Sequence, residues 1–369
     1  MIQILDSTLR EGEQTPGVTF TLKEKLEIAR LVDDFGVDLI EAGHPAVSRD
    51  VKCAVRTIAN EGLNAGVLAH CRAMRGDIDL ALDCDVEWIG LFMSVLEDRL
   101  KVHFKKDLDQ VCIMVNDSVQ YAKDHGLKVR YTPEDTIRSH FESVVKVSGA
   151  ALSAGADRIS VADTVGAATP AKMGVFVKNL RERTGAEVNV HCHNDLGLAL
   201  ANSLSAFENG AVLVDTCVNG LGERAGITSL AELVMALKVH YGIDNGWKLD
   251  LLPMISDRVE ELSGLRVASN APIVGDNAFS HNAGLHVSAA LLRPSFYEIF
   301  SAETVGRTRR FELDKFSGRD LLDEILNRNS IPLNECQMSD LMLRIKSREK
   351  GSFTEEEVLG AARSVYEGK

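Results

Sequence analysis

Two hydrophobic patterns alternate along the first 240 residues or so of the chain. Short runs rich in β-branched and aliphatic residues occur at 2–9, 38–42, 65–70, 88–93, 128–132, 158–162, 188–193 and 212–218. Between them lie longer stretches with apolar residues at helical spacing, such as 22–35, 108–125 and 170–183. Gly36, Gly126 and Gly210 stand where such helices end, the position that favours a residue free to turn left-handed. Eight strand–helix alternations over this length predict an α/β fold, a (β/α)8 TIM barrel. An open doubly wound sheet is the competing architecture, but no glycine-rich phosphate turn follows the first run.

Past residue 245 or so the alternation stops. Residues 266–318, rich in Gly, Asn, Ser and His, read as a linker or flap of irregular chain and short helices. Residues 319–346 and 354–367 read as two amphipathic helices around Lys350-Gly351-Ser352, forming a small helical subdomain over 319–369. Thr354-Glu355-Glu356-Glu357 opens the last helix as a capping box. The catalytic barrel is then expected over 1–265.

The formal charge of −13 repels phosphate backbones, which argues against a nucleic-acid partner. No apolar run approaches the roughly 20 residues of a membrane span, and the first residues lack the basic and apolar regions of a signal peptide. The seven cysteines are scattered and form no CxxC pair. They read as reduced thiols of a cytoplasmic protein, not as a disulfide framework or a thiolate zinc site.

Barrel chemistry gathers at the C-terminal ends of the strands. Six of the eight predicted strands end in ionisable or strongly polar residues, including Arg10 and Glu11, His70, Glu134, Asp163 with Thr164, His191 with His193, and Asn219. Residues i and i+2 share a strand face, so His191 and His193 project together. Imidazoles suit divalent transition metals. Closure of the barrel makes strands 1, 7 and 8 neighbours. Glu11 can then add an anionic oxygen and Asn219 a neutral one, leaving positions open for substrate. The bland alternative is that the histidines only tie loops. Arg10 at the mouth either stabilises a developing oxyanion or forms a structural ion pair. Arg130, Thr132 and Glu134 should share the inner face. A buried Arg130 needs an anion, from the protein or from a substrate carboxylate. Glu134 could act as a general base or orient one. Gly220-Leu221-Gly222-Glu223-Arg224-Ala225-Gly226 is a glycine-rich turn matching no phosphate-binding motif.

Asp6-Ser7-Thr8-Leu9-Arg10-Glu11-Gly12-Glu13-Gln14 resembles the signature of the acyl-CoA-condensing metal barrels, the isopropylmalate, citramalate and homocitrate synthases. Glu134-Asp135, Ala162-Asp163-Thr164-Val165-Gly166, His191-Cys192-His193-Asn194-Asp195-Leu196-Gly197 and Asn219-Gly220-Leu221-Gly222-Glu223-Arg224 follow in the same order. Phe279-Ser280-His281-Asn282-Ala283-Gly284-Leu285-His286 is similar to the linker-domain motif, so the resemblance spans about residues 1–325.

The resemblance implies a divalent ion (Zn, Mn, Mg or Co) held by Glu11, His191 and His193 with Asn219 near it. It implies acetyl-CoA and a 2-oxo acid as substrates. Arg10 and Gln14 would contact the oxo acid, Thr164 its carboxylate. Glu134 with His286 would help remove the acetyl methyl proton, and Tyr297 would belong to the flap. It also implies a homodimer in which His286 and Tyr297 serve the partner's site. Glu11 in place of Asp, Arg130, His70 and Glu41-Ala42-Gly43-His44-Pro45 resemble the homocitrate synthase branch, with 2-oxoglutarate as the oxo acid and Arg130, Thr132 and His70 around its distal carboxylate. Gly90 departs from the pattern, since some of that branch carry Asp there. It keeps open a sister synthase acting on another oxo acid, of isopropylmalate, citramalate or phosphono-analogue type. The mobile Gly-Cys loop of the related lyases is not found.

Overall fold

The computed structural model describes residues 2–367, which divide into two compact units. The first, residues 2–248 with 254–266, is a closed barrel of eight parallel strands. The strands are β1 (Gln3–Asp6), β2 (Leu39–Gly43), β3 (Gly66–Arg72), β4 (Trp88–Ser94), β5 (Lys128–Glu134), β6 (Arg158–Asp163), β7 (Val188–Cys192) and β8 (Leu213–Thr216). Closure joins β1 to β8, with Leu5 opposite Asp215 and Asp6 opposite Thr216. The expected fold is therefore the observed one, with strand ends displaced by a few residues.

Alternation along the strands sorts the chemistry. One face of each strand looks at the surrounding helices and is apolar, as with Ile40, Ile89, Val129, Ile159 and Val190, all buried. The other face looks inward. At the N-terminal end of the barrel Leu5, Leu39, Leu68, Trp88 and Leu213 form an apolar plug. Two residues further along, the inner face turns polar on every strand but β4, where Gly90 stands: Ser7, Glu41, His70, Arg130, Ser160, His191 and Asp215. The plug closes the bottom, and the polar layer becomes the floor of a cavity at the C-terminal end.

Helix boundaries follow local chemistry. Leu22–Phe35 starts on a Thr21–Glu24 capping box and ends at Gly36, whose φ of 105° is left-handed. Strand β1 is shorter than expected because Asp6 accepts hydrogen bonds from the Thr8 amide and hydroxyl, which turns the chain at Ser7. Arg10 and Glu11 therefore sit on a tight turn and not on a strand.

The second unit comprises residues 249–253 and 267–367. Helices Arg319–Arg328, Glu335–Lys346 and Glu355–Tyr366 pack around Leu322, Leu341, Ile345 and Val358, and Val287 and Leu313 join the same apolar cluster. The single helix expected over 319–346 is in fact two. Ser330 takes a left-handed φ of 55°, Pro332 cannot donate to a continuing helix, and Asn334 caps a new one. The capping box at Thr354 is present as expected. No described helix is long and apolar enough to cross a membrane, and all seven cysteines are free thiols.

Candidate active site and metal centre

A cavity of about 260 Å³ opens at the C-terminal mouth of the barrel. It gathers Arg10, Glu11 and Gln14 from the turn after β1, and His70 from β3. Arg130, Thr132 and Glu134 line it from β5, Thr164 from beyond β6, and His191 and His193 from the end of β7.

Glu11, His191 and His193 converge, with one ligand atom of each within 4.8 Å of the others. His191 Nε2 and His193 Nε2 lie 3.3 Å apart. His191 Nε2 is 3.8 Å from Glu11 Oε2, and His193 Nε2 is 3.9 Å from Glu11 Oε1. His191 Nδ1 faces Asp215 Oδ2 at 3.0 Å. Asp215 can accept a hydrogen bond from Nδ1–H, which leaves Nε2 turned to the cluster, the arrangement in which a carboxylate orients a metal-binding imidazole. Burial, then the neighbouring His191, pushes His193 down to about 4, so it is the neutral ligand form at neutral pH. Burial opposes the charge of Glu11, but Arg10 and the two imidazoles outweigh it and hold its carboxyl at about 2. Two imidazoles and a carboxylate at this spacing fit a divalent ion: ligand atoms about 2.1 Å from a tetrahedral centre lie about 3.4 Å from each other. Three protein ligands leave coordination positions for a substrate.

Asn219 does not join them. Its Nδ2 donates to the Ser256 carbonyl at 3.0 Å and its Oδ1 accepts from the Ser256 hydroxyl at 2.6 Å. Both ends of the amide are thus taken up in holding the turn after β8.

Two residues to which sequence reasoning gave no role in the site organise the floor. Glu41, fully buried on β2, accepts from Ser7 Oγ (2.5 Å), Arg10 Nε (2.7 Å), His70 Nδ1 (3.0 Å) and Arg130 Nη2 (2.9 Å). Asp215 on β8 accepts from Arg130 Nη1 at 3.1 Å besides orienting His191. Each interrupts an otherwise apolar strand at an inward position, which was the available signal. Burial works to raise Glu41, yet Arg10 and Arg130 hold it well below the usual carboxylate range. Three buried carboxylates thus face two guanidiniums. Arg130, with 3% of its side chain exposed, takes its anions from the protein, and its Nε is left buried without a partner. Gly90 makes room for it: a Cβ there would stand 3.0 Å from Arg130 Nη2.

Around the rim, Arg10 donates from Nη1 to Glu11 and from Nε to Glu41, which fixes the plane of its guanidinium. The Asp135 amide donates to Thr164 Oγ1 at 3.1 Å, leaving the hydroxyl proton to be offered elsewhere. Glu134 pairs with Arg99 at 2.7 Å. In the glycine-rich turn, the Glu223 amide donates to Glu11 Oε1 at 3.0 Å, and Arg224 grips Asp195 and donates to the Thr164 carbonyl. Gly222, with a φ of 145°, lets the turn approach Glu11: a Cβ there would lie 3.1 Å from Glu11 Cγ.

His286 and Tyr297 belong to the second unit. Their rings pack at 4.1 Å and 31°, both residues are exposed, and Leu285, Leu292, Phe296 and Ile299 are exposed on the same short stretch of chain.

Residues 1–259 match the HMGL-like family, and residues 273–351 match the homocitrate synthase post-HMGL domain-like family. The chain is 48% identical to the homocitrate synthase of Pyrococcus abyssi over 364 residues, covering 99% of this chain and 100% of the relative. It is 46% identical over 360 residues to homocitrate synthase AksA of Methanocaldococcus jannaschii, covering 97% and 89%. Among solved structures, the HMG-CoA lyase of Bacillus subtilis superposes with a TM-score of 0.66 over 73% of this chain and 96% of the lyase, at 23% identity, a likeness of fold alone.

Proposed function

We propose, from the premise that this chain belongs to the HMGL-like family and to its homocitrate synthase branch, that it condenses acetyl-CoA with 2-oxoglutarate to homocitrate and free CoA. The observation that carries this reading is the 48% identity with a homocitrate synthase across both the barrel and the following unit. The buried Glu11, His191 and His193 cluster beside two guanidiniums supports it.

Glu11, His191 and His193 would hold a divalent ion, and Zn, Mn, Co and Mg suit the donor set to different degrees. When bound, that ion supplies Lewis acidity to the keto group of the oxo acid. Arg10, its plane set by Glu11 and Glu41, faces the keto oxygen and stabilises the alkoxide that forms there. Thr164 donates its hydroxyl proton to the adjacent carboxylate, and Gln14 contacts the same acid. Arg130 Nε, Thr132 and His70 surround the distal carboxylate. Glu134 and a His286 act together in taking a proton from the acetyl methyl group. The resulting carbanion forms the carbon–carbon bond to the keto carbon, the alkoxide takes up a proton, and water cleaves the thioester to release the CoA thiol. The exposed apolar stretch around Tyr297 supports a homodimer in which His286 and Tyr297 are supplied by the partner.

A thiol-release assay with acetyl-CoA and a panel of 2-oxoglutarate, 2-oxoisovalerate and pyruvate tests the reading. Release is expected with 2-oxoglutarate, at least tenfold faster than with the others at limiting substrate. Equal or better turnover of a monocarboxylic oxo acid would make this a sister synthase instead.

A further inference from the structure

The charge balance of the cavity floor leaves the distal carboxylate of 2-oxoglutarate short of a cationic partner. Arg130 directs Nη1 at Asp215 and Asn189 and Nη2 at Glu41, so two buried carboxylates already match its charge. Its Nε offers one hydrogen bond but no unmatched charge. His70 is likewise engaged, with Nδ1 on Glu41.

His44, just past β2, lines the same cavity. Its Nε2 lies 3.0 Å from Asp77 Oδ2. Asp77, at 4% exposure, is itself pinned by Arg72, which donates from its amide (3.0 Å), Nε (2.9 Å) and Nη2 (2.8 Å). The His44 ring stands edge-on to His70 at 5.7 Å and to Phe92 at 6.2 Å. The imidazole is therefore fixed in plane and tautomer, Nε2–H on Asp77, while no described residue hydrogen-bonds its Nδ1. A histidine placed this way can receive a carboxylate: with Nε2–H on Asp77, a proton on Nδ1 would be donated to an incoming anion.

We propose that His44 is a specificity-determining residue that binds the distal carboxylate of the dicarboxylic oxo acid, with Asp77 as its positioning residue. The assignment rests on the proposed function. It gives the His-Pro pair after β2 a task that Arg130, paired within the protein, does not fulfil alone.

The test measures Kd for 2-oxoglutarate and for 2-oxopentanoate, which has the same chain length without the second carboxylate, by calorimetry on the metal-loaded enzyme. His44→Phe should weaken 2-oxoglutarate about tenfold to a hundredfold, the worth of a charge-assisted hydrogen bond, and move 2-oxopentanoate less than about twofold. In turnover the loss should fall on KM for 2-oxoglutarate more than on kcat. His44→Gln, which keeps a donor and strains the site less, should recover part of the affinity. Asp77→Asn should weaken 2-oxoglutarate in the same selective way but less. Equal weakening of both acids in these variants, or none, overturns the role of His44 and leaves the proposed function standing. A wild-type enzyme indifferent to the second carboxylate overturns both.

Discussion

The ring of His70 stacks on Phe92 at a centroid distance of 4.5 Å, and its Nδ1 engages the buried Glu41. Burial, then the charge of Arg10, pushes it from 6.5 down to about 4. The folded protein thus keeps this imidazole neutral where the unfolded chain already binds a proton. As pH falls below 6.5 the unfolded state takes up that proton first, so stability present at neutral pH is lost on the way to pH 4. By about pH 4.5 the loss from this residue amounts to about 2–3 kcal/mol. Urea unfolding at about pH 7.5 and pH 4.5 checks it: wild type should lose about 2–3 kcal/mol more than His70→Gln, and equal losses in the two proteins would refute it. His70, His191, His193 and Glu11 were readable from sequence as lining the barrel mouth because they stand at or just past the C-terminal ends of strands, where barrel chemistry gathers. Glu41 and Asp215 were not, because a carboxylate inside an apolar strand is justified only by a partner far along the chain. Arg130 is 89 residues from Glu41 and 85 from Asp215. Asn219 misled for the same reason: its partner, Ser256, lies 37 residues away and outside any motif.

At the scale of elements, the pairing of β4 with β5 sets Gly90 beside Arg130. A methyl group at residue 90 would stand 3.0 Å from Arg130 Nη2 and 3.1 Å from Leu68 Cδ2. Neither neighbour can yield easily, since Arg130 is held by Glu41 and Asp215 and Leu68 lies in the apolar plug. Gly90→Ala is therefore expected to destabilise the protein by about 1–3 kcal/mol, the usual cost of overpacking. It should also raise KM for the oxo acid by displacing the guanidinium. Denaturant midpoints together with KM measure both effects; an unchanged midpoint and KM would mean that β4 has slack here. The departure noticed at this position in the sequence thus has a local cause, an arginine laid across a glycine. Strand and helix periods were legible wherever one face is buried throughout, as in Leu22–Phe35. They failed at 319–346, where apolar spacing continues through Pro332 and hides the break between two helices.

For the whole molecule, the barrel follows from eight alternations of pattern, but no periodicity says whether His286 and Tyr297 serve a barrel cavity, or in which chain. The proposed dimer makes a sharp prediction about them. His286→Ala should abolish turnover while leaving the Glu11, His191 and His193 cluster of its own chain intact. Glu11→Gln should abolish turnover by removing the anionic ligand while leaving its own His286 intact. If His286 acts in the partner's cavity, a dimer of the two variants holds one complete site and one doubly defective site. Random exchange of equal amounts puts half the dimers in that mixed state, so activity should recover to about a quarter of wild type. Exchange is followed by differently tagged chains and native mass measurement, and activity is read as thiol release once mixed dimers have formed. If the residue acts within its own chain, every mixed dimer carries only broken sites, and activity stays at the level of the separate variants. A monomeric protein would give the same flat result without mixed species, so mass and activity together separate partner-supplied, same-chain and monomeric arrangements.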